Sequence, residues 1–253
     1  MLNRWTFMIL MMPLMSIACA KTSPRMPALS QRDYQLRLQA KYQSMERPTE
    51  EHVLKFHTMI SLTPLKQHRD DSSFVNIAFA ETESHLNDQV VDIGLNAKWI
   101  EARVFEHGEL LKLRYTEQLT QDNPYMDAVD ILWMILFPNP PALEKGRERM
   151  APRRYPLVKN AQGRAYTKSR ATWNLLEQNS SAKISYQSDL DVYGAWRELS
   201  LSGEGKADGV VWIPLQGGLP NRHEGTLQRT ICYDGSVSMC QEQQFQFLLE
   251  ARP

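Results

Sequence analysis

The chain has 253 residues, of which 42% are hydrophobic and 23% charged, a balance that excludes a disordered protein. Lys and Arg number 29, as do Asp and Glu, so the formal net charge is zero. That balance leaves no electrostatic footprint for nucleic acid, and none is expected as a partner.

The N-terminus reads as an export signal. Arg4 is basic, and Trp5 to Met15 is apolar apart from Thr6 and Pro13. The run is shorter than the ~20 residues of a membrane-spanning helix. It matches the ~7–15 residue apolar core of a secretory signal.

Ser16-Ile17-Ala18-Cys19 follows, and it resembles the lipobox of bacterial lipoproteins, with Ser16 where that family usually has Leu. The resemblance implies that residues 1–18 are removed and that Cys19 is acylated and holds the protein to a membrane. Ala20 in place of Asp resembles the outer-membrane sorting pattern, which implies a cell-envelope protein facing the periplasm. Ala18-Cys19-Ala20 also fits cleavage after Ala20, which would give a soluble periplasmic or secreted protein. Residues 19–33, with Pro24 and Pro27, read as a lipidated N-terminus and tether.

Residues 34–137 form a strand-rich N-terminal half. Tyr34, Leu36, Leu38, Ala40 and Tyr42 alternate with polar residues, the period of a strand with one buried face. Val53–Leu62 and Phe74–Phe79 are further strands, with Asp70-Asp71-Ser72-Ser73 as the loop between them. Val91 to Trp99 alternates and then slips phase at Ile100, which predicts a strand with a bulge. Glu106 to Glu109 predicts a hairpin turn before Leu111, Leu113 and Tyr115. Asn123 and Pro124 open a helix that runs to Phe137 and is apolar nearly all round, so it must be buried.

Residues 138–156 read as a Pro-rich basic connector, most simply a solvated loop. Residues 157–253 form the C-terminal strand-rich half. Ala165–Leu175, Ala182–Tyr186, Leu227–Tyr233 and Phe245–Leu249 are strands. Trp196–Ala207 and Val210–Leu215 are two more, joined at Asp208-Gly209 as a hairpin. Cys232 and Cys240 flank Asp234-Gly235, a turn signal, and an exported chain meets oxidising conditions. A disulfide is expected, worth roughly 2–3 kcal/mol for so short a loop. The fold class is therefore mostly β: strongly curved antiparallel sheet of about ten to twelve strands with one buried apolar helix.

No catalytic motif survives its context. Ser180-Ser181-Ala182-Lys183 fits SxxK, but it runs into a strand and lacks the KTG and SDN partners of that chemistry. His223-Glu224 begins HExxH, but Leu227 stands where the second His should be. The glycines from Gly203 to Gly209 alternate along a strand and favour a sharply coiled sheet over an anion cradle. No metal and no cofactor is expected.

Trp133, Trp99, Trp173 and Trp212 are candidates to line a cavity beside the helix. In general plan this resembles lipid-carrying envelope proteins, which set a helix against the concave face of a curved antiparallel sheet. The expectation is an envelope lipoprotein that binds an apolar ligand or lipid. The alternatives are an accessory lipoprotein that docks another envelope protein and, behind both, a hydrolase with a site assembled from separated residues.

Overall fold

The structure is a computed structural model that describes residues 31–67, 72–105, 110–115, 131–138, 140–160, 163–196, 198–215, 218–236 and 238–253. Cys19, the signal segment and the predicted turn at Glu106–Glu109 lie outside them.

The first six strands are β1 (Arg32–Ser44), β2 (Glu51–Gln67), β3 (Ser72–Leu86), β4 (Gln89–Val90), β5 (Trp99–Phe105) and β6 (Leu110–Tyr115). A short helix, α1 (Leu132–Leu136), follows. The second series is β7 (Arg149–Asn160), β8 (Gly163–Gln178), β9 (Ser181–Trp196), β10 (Leu199–Pro214), β11 (Arg222–Asp234) and β12 (Met239–Ala251).

All of these strands belong to one antiparallel sheet. Its order is β6-β5-β3-β2-β1-β12-β11-β10-β9-β8-β7, with β4 appended to β3. The first and last strands pair along most of their length, from Tyr34 opposite Ala251 to Ser44 opposite Gln241. Both halves of the sequence therefore share one sheet. β6 and β7 are its two edges. They approach one another without pairing, so the sheet curls but does not close. The chain between those edges carries α1.

Strand alternation sorts the sheet into two faces. On the inner face Leu36, Leu38 and Ala40 of β1 lie beside Thr58, Phe56 and Leu54 of β2 and beside Leu249, Phe247 and Phe245 of β12, all buried. α1 packs into the same core through Leu132, Trp133, Ile135 and Leu136. At roughly 25 cal/mol per Å² of apolar area, this shared inner face dominates the stability.

Several sequence expectations change. The alternation from Val91 to Ala97 is a loop and not a bulged strand, because Gly94 and Ala97 adopt positive φ and the Gly94 amide bonds to Asp92 Oδ1. Ile93 and Leu95 are buried all the same, so their apolar period reports loop packing against the core. Ser72 and Ser73 open β3 instead of lying in the preceding loop. The basic connector is strand from Arg149 onward, an edge position that tolerates Pro152 and Pro156. Helix is found over Leu132–Leu136; the expected start near Pro124 lies outside the described residues.

A further change is at Asp208-Gly209. β10 runs straight through it, with Gly209 opposite both Tyr186 and Gly225. A Cβ at Gly209 would stand 2.8 Å from the Tyr186 hydroxyl and 2.5 Å from the Glu224 carbonyl oxygen. Glycine is required there because the Tyr186 ring lies across the strand, not because the chain turns.

Candidate functional site

The site is built on the inner face where β8, β9, β11 and β12 meet α1. Trp173, Tyr186, His223 and Phe247 form a continuous aromatic row. Trp173 and Tyr186 rings are 5.0 Å apart, Tyr186 and His223 5.5 Å, and His223 and Phe247 4.9 Å. Gly209 and Gly225 occupy the intervening register positions, leaving room for the rings.

His223 joins this row to the helix. Its Nδ1 is 2.8 Å from the carbonyl oxygen of Ile135, and its Nε2 is 3.0 Å from the Tyr186 hydroxyl. A carbonyl only accepts, so Nδ1 carries the proton and Nε2 accepts from Tyr186. Ile135 lies in the last turn of α1, where carbonyls have no partner within the helix. One buried histidine therefore satisfies a helix end and fixes α1 to the sheet. Burial pulls its pKa from the ordinary 6.5 down to about 4, against the opposing pull of the Ile135 carbonyl and of Glu224. Burial likewise pushes the Tyr186 phenol upward, so it stays a neutral donor.

Three donors on this side of the molecule are buried without an acceptor among the described residues: Trp133 Nε1, Trp173 Nε1 and Arg229 Nη2. Trp133 and Trp173 are 1% and 3% exposed. An unmet buried donor costs about 1–3 kcal/mol.

The four tryptophans proposed as a cavity lining are not brought together. Trp133 and Trp173 lie in the inner core. Trp99 is 41% exposed. It sits opposite Ala78, out of phase with buried Ile100. Trp212 falls on the outer face between buried Val211 and Ile213, with Lys183 and Arg222 over its ring.

Cys232 and Cys240 face one another across β11 and β12 at disulfide distance, 2.06 Å between sulfurs. Lys183 lies on β9 and pairs with Glu177 at 3.6 Å, so the SxxK match has a strand context. Among the described residues no three His, Cys, Asp or Glu side chains gather as a metal site.

A concavity of about 630 Å³ lies on the outer face, lined in part by Arg37, Lys55, His57, Glu83, His85 and Glu224. Its charges are largely answered: Lys55 pairs with Asp88 at 2.9 Å, Glu224 with Arg222 at 2.6 Å, and His57 bonds Gln35 at 2.8 Å. Thr226, which also lines it, donates its hydroxyl to Asp208 Oδ1 at 2.8 Å.

No protein-family model matches the sequence, and a search of the curated proteins found no match. The sequence reading missed His223 and Arg229 as members of the inner face. The signal was present: both stand in phase with Leu227 and Ile231, where a strand with one buried face calls for apolar residues.

Proposed function

We propose that this protein is a lipid-anchored envelope protein that holds an apolar ligand or lipid between the inner face of its sheet and α1. The observation that carries the reading is the open sheet, whose apolar inner face packs against the short apolar helix α1. A sheet that packed only for its own stability could close its edges on each other. Here the edges do not pair, and among the described residues the buried His223 bonds the last turn of α1 to the sheet. Acylation of Cys19 would place the sheet beside a membrane at the outer-membrane face of the periplasm. Three acyl chains, at ~0.8 kcal/mol per buried methylene, anchor firmly.

Thermal melts of the full chain and of Trp133→Ala, each with and without added phospholipid or fatty acid, test the binding reading. If Trp133 borders a ligand, the wild type melts higher with lipid and the variant shows no such shift. If Trp133 is plain core, the variant loses about 3–5 kcal/mol and neither protein responds to lipid, which refutes the reading. Metabolic labelling with palmitate tests the anchor: label on the wild type and none on Cys19→Ser is expected, and an unlabelled wild type contradicts it.

A further inference from the structure

The outer-face concavity is open to solvent side chains of five strands, β3, β2, β1, β12 and β11. Their registers set Glu83, His57, Arg37, Leu248 and Glu224 side by side in one row across it. Lys55 and Glu224 have partners of opposite charge, and His57 is held by Gln35. Arg37 and Glu83 are exposed, and neither makes a hydrogen bond or ion pair with any described residue.

Opposite charges on neighbouring strands stabilise a sheet, and other outer-face cations have them. Lys41 meets Glu51 at 3.2 Å, Arg170 meets Asp191 at 3.1 Å and Arg222 meets Glu250 at 3.2 Å. Arg37 instead faces His57 on one side and Leu248 on the other, and Glu83 lies one strand beyond His57. With strands ~4.8 Å apart, the backbones beneath the two charges are about 10 Å apart. One cation and one carboxylate thus share the concavity, and neither answers the other. Gln39 and Gln246, opposite one another on β1 and β12, line the same space, and their amides are also unbonded among the described residues.

We propose that this concavity binds a short zwitterionic peptide. The peptide carboxylate meets the Arg37 guanidinium, whose parallel N–H donors match two carboxylate oxygens. The peptide ammonium meets Glu83, and the chain between them crosses β2 within reach of the Gln39 amide. An extended chain covers ~3.3–3.6 Å per residue, so about 10 Å corresponds to about three residues. The volume, about 630 Å³, lies in the range of small-molecule sites and admits a peptide of that length. A ligand with one charge would leave Arg37 or Glu83 unanswered, and a single amino acid is too short to reach both. The site lies on the face opposite the lipid proposed above and is independent of that reading.

Calorimetric titration of the full chain with three probes tests the assignment: trialanine, N-acetyltrialanine (no ammonium) and trialanine amide (no carboxylate). Trialanine should bind, and each modified form should bind about three- to tenfold more weakly, the size of one solvent-accessible charge-assisted contact. Arg37→Gln should bind trialanine and its amide alike while still binding the acetylated form more weakly. Glu83→Gln should show the reverse pattern. Both side chains are exposed, so both variants should fold; should either fail, the three-probe comparison on the wild type still decides the matter. No binding of trialanine, binding that neither modification weakens, or variants that keep the wild-type preferences would overturn the assignment. Weakening by amidation without weakening by acetylation would reduce the concavity to a carboxylate site at Arg37 and overturn the peptide as its ligand.

Discussion

His223 and Arg229 stand on the same face of β11 and are equally buried, at 1% and 2% exposure, yet they differ in every contact. Both ring nitrogens of His223 are bonded, one to the end of α1 and one to the Tyr186 hydroxyl. Arg229 keeps an unmet Nη2 and meets an amide and an aromatic ring in place of a carboxylate. The first is a finished structural joint. The second leaves one buried donor without an acceptor among the described residues. A buried polar group earns no function by burial alone; what separates the two is whether the protein itself completes its hydrogen bonds.

The sharpest way to break that contrast is to remove the joint. His223→Leu leaves the Ile135 carbonyl and the Tyr186 hydroxyl buried without partners, at about 1–3 kcal/mol each. Urea denaturation should show a loss of about 2–5 kcal/mol, with faster amide exchange across α1. A loss under about 1 kcal/mol, within the range of an ordinary surface change, would mean that His223 does not hold the helix.

Acid should do to the joint reversibly what mutation does permanently. The folded pKa of His223, about 4, lies below the ordinary 6.5, so the folded state resists protonation that the unfolded chain accepts. Its contribution is full above pH 6.5 and declines as pH falls toward 4. The total loss is about 3 kcal/mol at 1.36 kcal/mol per unit. Stability measured against pH should fall over that window in the wild type and much less in His223→Gln. Parallel profiles would assign the acid sensitivity elsewhere.

The smallest effect on stability is expected at Arg229. Replacing an uncompensated buried charge with an aliphatic side chain is often neutral or stabilising. Arg229→Leu should therefore melt within a few degrees of the wild type or above it, the reverse of His223→Leu. Collapse of the fold in Arg229→Leu would make Arg229 structural and remove the contrast.

Much of the architecture was legible in the sequence, because a strand with one wet face writes its period plainly. β1 is the clearest case: Tyr34 to Tyr42 alternate without a fault, and all five apolar residues are buried. Reading failed where period and geometry parted. Ile93 and Leu95 keep a two-residue period in a loop, since a chain at positive φ can also turn alternate side chains to a core. Asp208-Gly209 has the composition of a turn, but its glycine answers to the ring of Tyr186 one strand away, which no local rule contains. β9 was read too short because Ser188 interrupts its apolar series. The Ser169 hydroxyl that makes Ser188 tolerable inside is 19 residues distant. The site was the least legible part, since His223 and Arg229 acquire meaning only from partners on other strands and from α1.

Photo-crosslinking of the full chain with a diazirine-bearing fatty acid, followed by peptide mapping, tests the central claim most directly. The two faces of one sheet serve as each other's control. The account predicts adducts on the inner face, at α1 and on β11 and β12 between Leu227 and Leu249, suppressed by unlabelled fatty acid. Adducts confined to outer-face positions such as Trp212 and Trp99, or inner-face labelling that excess fatty acid does not suppress, would contradict it.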